Sequence, residues 1–86
     1  VNADDLAAAL GPAGVTVNVV APGYVEGTEF FVGRMTPEGH AARVARTVVG
    51  RAGTPDEIAD AIRYLVRARY VTGQIIGVNG GAVLGR

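Results

Sequence analysis

The chain predicts an α/β fold built on a doubly wound parallel sheet. Two runs rich in β-branched residues, Val15–Val20, apolar except for Thr16 and Asn18, and Gln74–Asn79, apolar between its polar ends, have the pattern of strands covered on both faces. Between them lie two helix-start signatures, Thr36-Pro37-Glu38 and Thr54-Pro55-Asp56-Glu57. A strand–helix–strand order with so long a crossover makes the two strands parallel.

Taken in order, residues 3–10 are strong helix formers, and Gly11 is expected at the left-handed C′ position with Pro12 just beyond. The first strand follows at Val15–Val20 and ends at Pro22-Gly23. Thr36 caps the next helix, whose stripe Ala41, Val44, Ala45 and Val48 is expected to run until Gly50 stops it. Thr54 and Glu57 stand at capping-box spacing. Ile58, Ala61, Ile62, Leu65 and Val66 then recur at i, i+3, i+4, i+7 and i+8, an amphipathic face. Asp56, Glu57 and Asp60 lead this helix as capping acids, and Arg63, Arg67 and Arg69 trail it, complementing its dipole. Gly80-Gly81 follows the second strand, but no helix comes after it, so it lacks the makings of an anion site.

At 86 residues the chain is at most one small domain, yet it is 49% hydrophobic and only 19% charged, the composition of a larger protein's interior. It opens at Val1, without methionine, inside a helix-forming run, so a longer parent sequence is expected. The formal net charge is zero and all eight basic residues are arginines scattered among acids, which argues against nucleic acid as a partner. No cysteine means no disulfide framework and no Cys-based metal site, as expected in the cytoplasm. The apolar runs are far short of the roughly 20 residues that cross a bilayer, so no membrane partner is expected, nor is a leader segment.

The most informative stretch is Asn18 to Thr28, a buried strand that stops at Pro22-Gly23 and opens into a polar turn. In open α/β sheets ligands sit just past the carboxyl ends of strands, so this turn is where a cofactor would be gripped; the alternative is an ordinary strand-ending turn. Phe30, Phe31 and Met35, taken by themselves, read as plain core or loop anchors. His40, the single histidine, reads as a solvated surface residue, as do Glu26 and Glu29.

Three strings carry a family resemblance: Leu10 to Gly23, Gly50 to Ala59, and Tyr70 to Gly81. In this order and spacing they resemble the C-terminal third of short-chain dehydrogenases/reductases, close to the 3-oxoacyl-carrier-protein reductase-like branch. The resemblance implies the C-terminal part of a Rossmann-type sheet and NAD or NADP as cofactor. It implies an alcohol or ketone as substrate, of 3-oxoacyl type within that branch. It places Pro22, Gly23, Tyr24, Val25 and Thr28 on the nicotinamide, with the main chain of Val25 meeting the carboxamide, and Phe30, Phe31 and Met35 on the substrate. It also implies a homo-oligomer joined through the 55–68 helix and the 74–79 strand.

There are departures. Gly27 stands as an insertion that sets Thr28 one place late, and the link from Val66 to Tyr70 is short. The chain contains no serine and no lysine, so the family's Ser/Tyr/Lys set cannot be assembled from it, and the glycine-rich phosphate turn is missing. The expectation is therefore one part of an oxidoreductase site, with no catalytic residue of its own. A non-catalytic association module is the alternative, and a helix-turn-helix nucleic-acid binder a distant third.

Overall fold

The structure is a computed structural model that describes residues 2–26 and 36–85. In chain order it contains α1 (Ala3–Leu10), a 3-10 turn (Gly11–Ala13), β1 (Val19–Pro22), α2 (Pro37–Ala45), α3 (Pro55–Arg67) and β2 (Ile75–Val78). The two strands pair side by side and parallel, with Val19 opposite Ile75 and Pro22 opposite Val78. At that last position the bond is made by Gly23, whose N–H donates to the Val78 carbonyl at 2.9 Å, so the proline's missing donor costs the ladder nothing.

The first strand is displaced from the expected Val15–Val20. Residues 15–18 run beside 71–74, where one backbone bond, from the Gly73 N–H to the Val17 carbonyl at 2.8 Å, is joined by bonds from side chains. The Val17 N–H donates to Thr72 Oγ1 at 3.0 Å. The Asn18 amide donates to the Val71 carbonyl at 2.9 Å and accepts from the Gln74 N–H at 3.1 Å. Asn18 thus stands in for a backbone pair, and regular pairing begins one residue later. The second strand is likewise shorter than Gln74–Asn79 by a residue at each end.

Two helix ends also differ from expectation. Gly11 is right-handed (φ −54°) and the left-handed residue is Gly14 (φ 81°). Pro12 needs no donor in a tight turn, so the chain winds through Gly11–Ala13 before reversing, and the Val15 N–H reaches back to the Leu10 carbonyl at 3.3 Å. In α2 the stripe stops at Ala45, and neither Val48 nor Gly50 belongs to the helix. The Thr47 hydroxyl donates to the Val44 carbonyl at 2.7 Å and accepts from the Gly50 N–H at 3.0 Å, closing the end with a side chain. The N–H groups of Val48 and Val49 instead donate to the Gly80 carbonyl.

α3 begins as its sequence requires. Thr54 Oγ1 accepts from the Glu57 N–H and the Glu57 carboxylate accepts from the Thr54 N–H at 3.1 Å, a complete capping box. Glu57 also receives a two-pronged pair from Arg51 at 2.7 and 2.8 Å. That hydrogen bond from Arg51, helped by the Thr54 N–H and opposed by desolvation, lowers the Glu57 carboxyl to about 2.

α3 packs on both strands of the sheet, with Ile58, Ala61 and Leu65 half-buried. The chain does not itself supply the double covering that the strand pattern predicts: Ile75 of β2 is 70% exposed and Val19 of β1 39%. Val20, Leu65 and Val66 line an open groove of about 350 Å³. Among the described residues only Ala7, Val25 and Ala52 are buried apolar residues, and none is fully enclosed. The radius of gyration is 15.4 Å, against roughly 12 Å for a compact domain of this length.

Two outcomes follow. Asn18→Ala removes the bonds to the part-buried Val71 carbonyl and the exposed Gln74 N–H and should lower the unfolding free energy by about 0.5–1.5 kcal/mol, read from the urea midpoint. Because the folded Glu57 carboxyl lies below its unfolded value of 4.5, its contribution is complete above that pH and is lost as pH falls toward about 2. The helicity of a peptide spanning residues 51–69 should drop across this window by circular dichroism, and by less in its Glu57→Gln counterpart.

Candidate functional site

The carboxyl end of β1 is held from two sides. On one side, Gly23 approaches Asn79 so closely that a Cβ on Gly23 would lie 2.7 Å from Asn79 Cβ and 2.8 Å from its Cα. Neither of those atoms belongs to a flexible side-chain tip, so only glycine fits at this crossing. On the other side, the turn forms a parallel bridge between Val25 and Gly53. Its bonds run from the Gly53 N–H to the Tyr24 carbonyl at 2.9 Å and from the Glu26 N–H to the Gly53 carbonyl at 3.0 Å.

That arrangement decides what the turn can offer. In a parallel bridge the flanking residues make the bonds, so the N–H and C=O of Val25 itself point away from Gly53. The Val25 side chain is 7% exposed and Ala52, beside Gly53, is 6% exposed. The result is one donor and one acceptor on a rigid backbone at a strand's carboxyl end. A primary carboxamide, which carries one donor group and one acceptor, is a fitting partner for such a pair.

The side chains around the turn are less expected. Tyr24 directs its hydroxyl to His40 Nδ1 at 2.7 Å, and the rings meet edge-to-face at 5.4 Å. The Arg43 guanidinium lies 5.7 Å from the Tyr24 ring centre. His40 is exposed, but it is engaged with Tyr24, contrary to the sequence expectation of a merely solvated residue. Arg51, whose pKa is raised chiefly by its bond to Glu57, also feels the negative charge of Glu26 at the end of the turn.

Of the residues singled out in the sequence, the structure therefore brings together Pro22, Gly23, Tyr24 and Val25. Thr28, Phe30, Phe31 and Met35 lie outside the described residues. Gly53, His40 and Arg43 were missed because long-range bridges leave no local signal. Asn79 carried one, since an Asn before Gly-Gly invites the turn in which its side chain accepts from the Gly81 N–H at 2.9 Å. Among the described residues no group of three potential metal ligands occurs, and no helix is long and apolar enough to cross a membrane.

Residues 3–83 match the family model described as enoyl-(acyl carrier protein) reductase. The chain belongs to the short-chain dehydrogenase/reductase family. Within the family it is 45% identical over 82 residues to the cyclohexanol dehydrogenase of Rhodococcus sp., covering 88% of this chain and 28% of that protein. It is 44% identical over 70 residues to the 3-oxoacyl-(acyl-carrier-protein) reductase of Vibrio cholerae, covering 79% and 28%. The crystal structure of the 3-oxoacyl-(acyl-carrier protein) reductase of Brucella melitensis superposes with a TM-score of 0.83 at 40% identity, covering 92% of this chain and 30% of that one. These matches set the chain in the 3-oxoacyl reductase branch and its strands in a Rossmann-type sheet. The chain spans 28–32% of the length of the first curated relatives it matches.

Gly23→Ala tests how tightly this family member's turn is closed. The added methyl meets Asn79 at its root, and overpacking of this kind should cost about 1–3 kcal/mol in urea unfolding.

Proposed function

We propose that the chain forms the nicotinamide side of an NAD(P)-dependent short-chain oxidoreductase that interconverts an alcohol and a ketone, with 3-oxoacyl compounds as the substrate class. The observation that carries this is the Val25–Gly53 bridge, which leaves the Val25 N–H and C=O facing outward at the end of β1. In this reading that pair holds the carboxamide, Pro22 and Gly23 shape the backbone around the ring, and Thr28 adds a hydroxyl. Tyr24 contributes through its backbone, since its ring turns to His40. Phe30, Phe31 and Met35 bear on the substrate. Matches to a cyclohexanol dehydrogenase and to 3-oxoacyl reductases support a carbonyl–alcohol reaction.

When bound, the cofactor supplies or accepts a hydride; this chain's residues hold and orient its ring. They do not move the proton, because the chain contains no lysine and no serine to build the family's relay. The proposal includes a cytoplasmic homo-oligomer joined through the 55–68 helix and the 74–79 strand. It is supported by the exposure of Ile62, Val66 and Ile75 (49%, 79% and 70%), apolar surface that a partner would cover.

The test has two arms. The isolated 86-residue chain, given NAD(P)H and a 3-oxoacyl thioester, should oxidise no cofactor above background, and saturable turnover would overturn the partial-site reading. Grafted in place of the matching segment of the Vibrio cholerae reductase, the chain should restore activity, and Val25→Pro, which deletes the outward N–H while sparing the bridge, should cut it more than tenfold. A Val25→Pro graft as active as its parent would remove Val25 from the site.

A further inference from the structure

The contacts of Tyr24, His40 and Arg43 are not required by the cofactor reading, and they join two parts of the chain that have no backbone hydrogen bond between them among the described residues. Tyr24 is anchored at its root, because its carbonyl is bonded to Gly53 N–H. Its other end meets α2. His40 and Arg43 are three residues apart in α2, hence on one face of the helix. The phenol takes His40 through a 2.7 Å hydrogen bond and an edge-to-face ring contact, while the guanidinium lies 5.7 Å from the ring centre. Three geometrically distinct contacts converging on one ring fix a helix more firmly than one hydrogen bond would.

We propose that Tyr24, His40 and Arg43 form a latch that fixes α2 against the turn after β1, making His40 a positioning residue. With the phenol as donor, Nδ1 is the acceptor and the imidazole proton resides on Nε2. The latch stands on this geometry alone; its consequence, that α2 and the turn move as one unit beside a bound cofactor, rests on the function proposed above.

All basic residues of the chain are arginines, so trypsin reads the latch directly. Cleavage after Arg43 and Arg46, scored by mass spectrometry against cleavage after Arg67 in α3 of the same molecule, should rise about fivefold in Tyr24→Phe and in His40→Ala, the effect of losing one ordinary hydrogen bond. His40→Asn, which keeps an acceptor oxygen near the Nδ1 position, should return the ratio to within twofold of the parent. Because His40 is the single histidine, its ¹⁵N resonances supply a second readout: the Nε2–H tautomer in the parent and a mixture in Tyr24→Phe. Ratios unchanged in both disrupting variants, a His40→Asn chain as labile as His40→Ala, or an imidazole that behaves as free histidine in the parent would each overturn the latch. None of these measurements involves cofactor or turnover, so the latch and the proposed function fail separately.

Discussion

The meeting of β1 and β2 at Gly23 governs the rest of this molecule. The parallel ladder brings residues more than fifty positions apart into register, and its last bond runs from Gly23 to Val78. Gly23 can make that bond because it lacks a side chain where Asn79 crosses. Everything at the carboxyl end of β1 inherits its position from this crossing, including the bridge to Gly53 and the outward-facing groups of Val25. Parallel pairing offers no short turn to enforce it. The crossover through α2 and α3 must instead return the chain to the same place.

Electrostatics at the start of α3 support that return. Arg51 stands between two carboxylates, bonded to Glu57 inside the capping box and attracted to Glu26 at the end of the turn. It also donates to the Ala52 carbonyl at 3.0 Å. One side chain therefore bears on the helix start, on the segment that carries Gly53, and on the turn that Gly53 holds. The pairs are exposed, so each is individually weak, and their value lies in agreeing on one arrangement.

Much of this was legible in the residues because the signals were local. The capping box of α3 is written in Thr54 and Glu57, and the parallel pairing in two doubly apolar runs. What escaped was non-local. The strand start moved from Val15 to Val19 because the side chains of Asn18 and Thr72 each bond the backbone opposite, and no propensity encodes that exchange. The stripe that seemed to carry α2 on to Val48 was broken by Gly80, thirty-two residues downstream, which claims the N–H of Val48 and of Val49. His40 read as solvated because nothing near it in sequence announces Tyr24. The outward groups of Val25 needed a partner, Gly53, that only the fold supplies.

Gly80 and Gly81 have a wider consequence. Both have positive φ, 63° and 88°, and a methyl on either would fall 2.8 Å from a side-chain atom of Val49 or Val48. The segment after α2 therefore rests on the stretch that follows the final strand. Proteolytic cleavage just after Asn79 would remove the support of a loop some thirty residues earlier in the chain, so a nick at one place would be felt at another far from it in sequence.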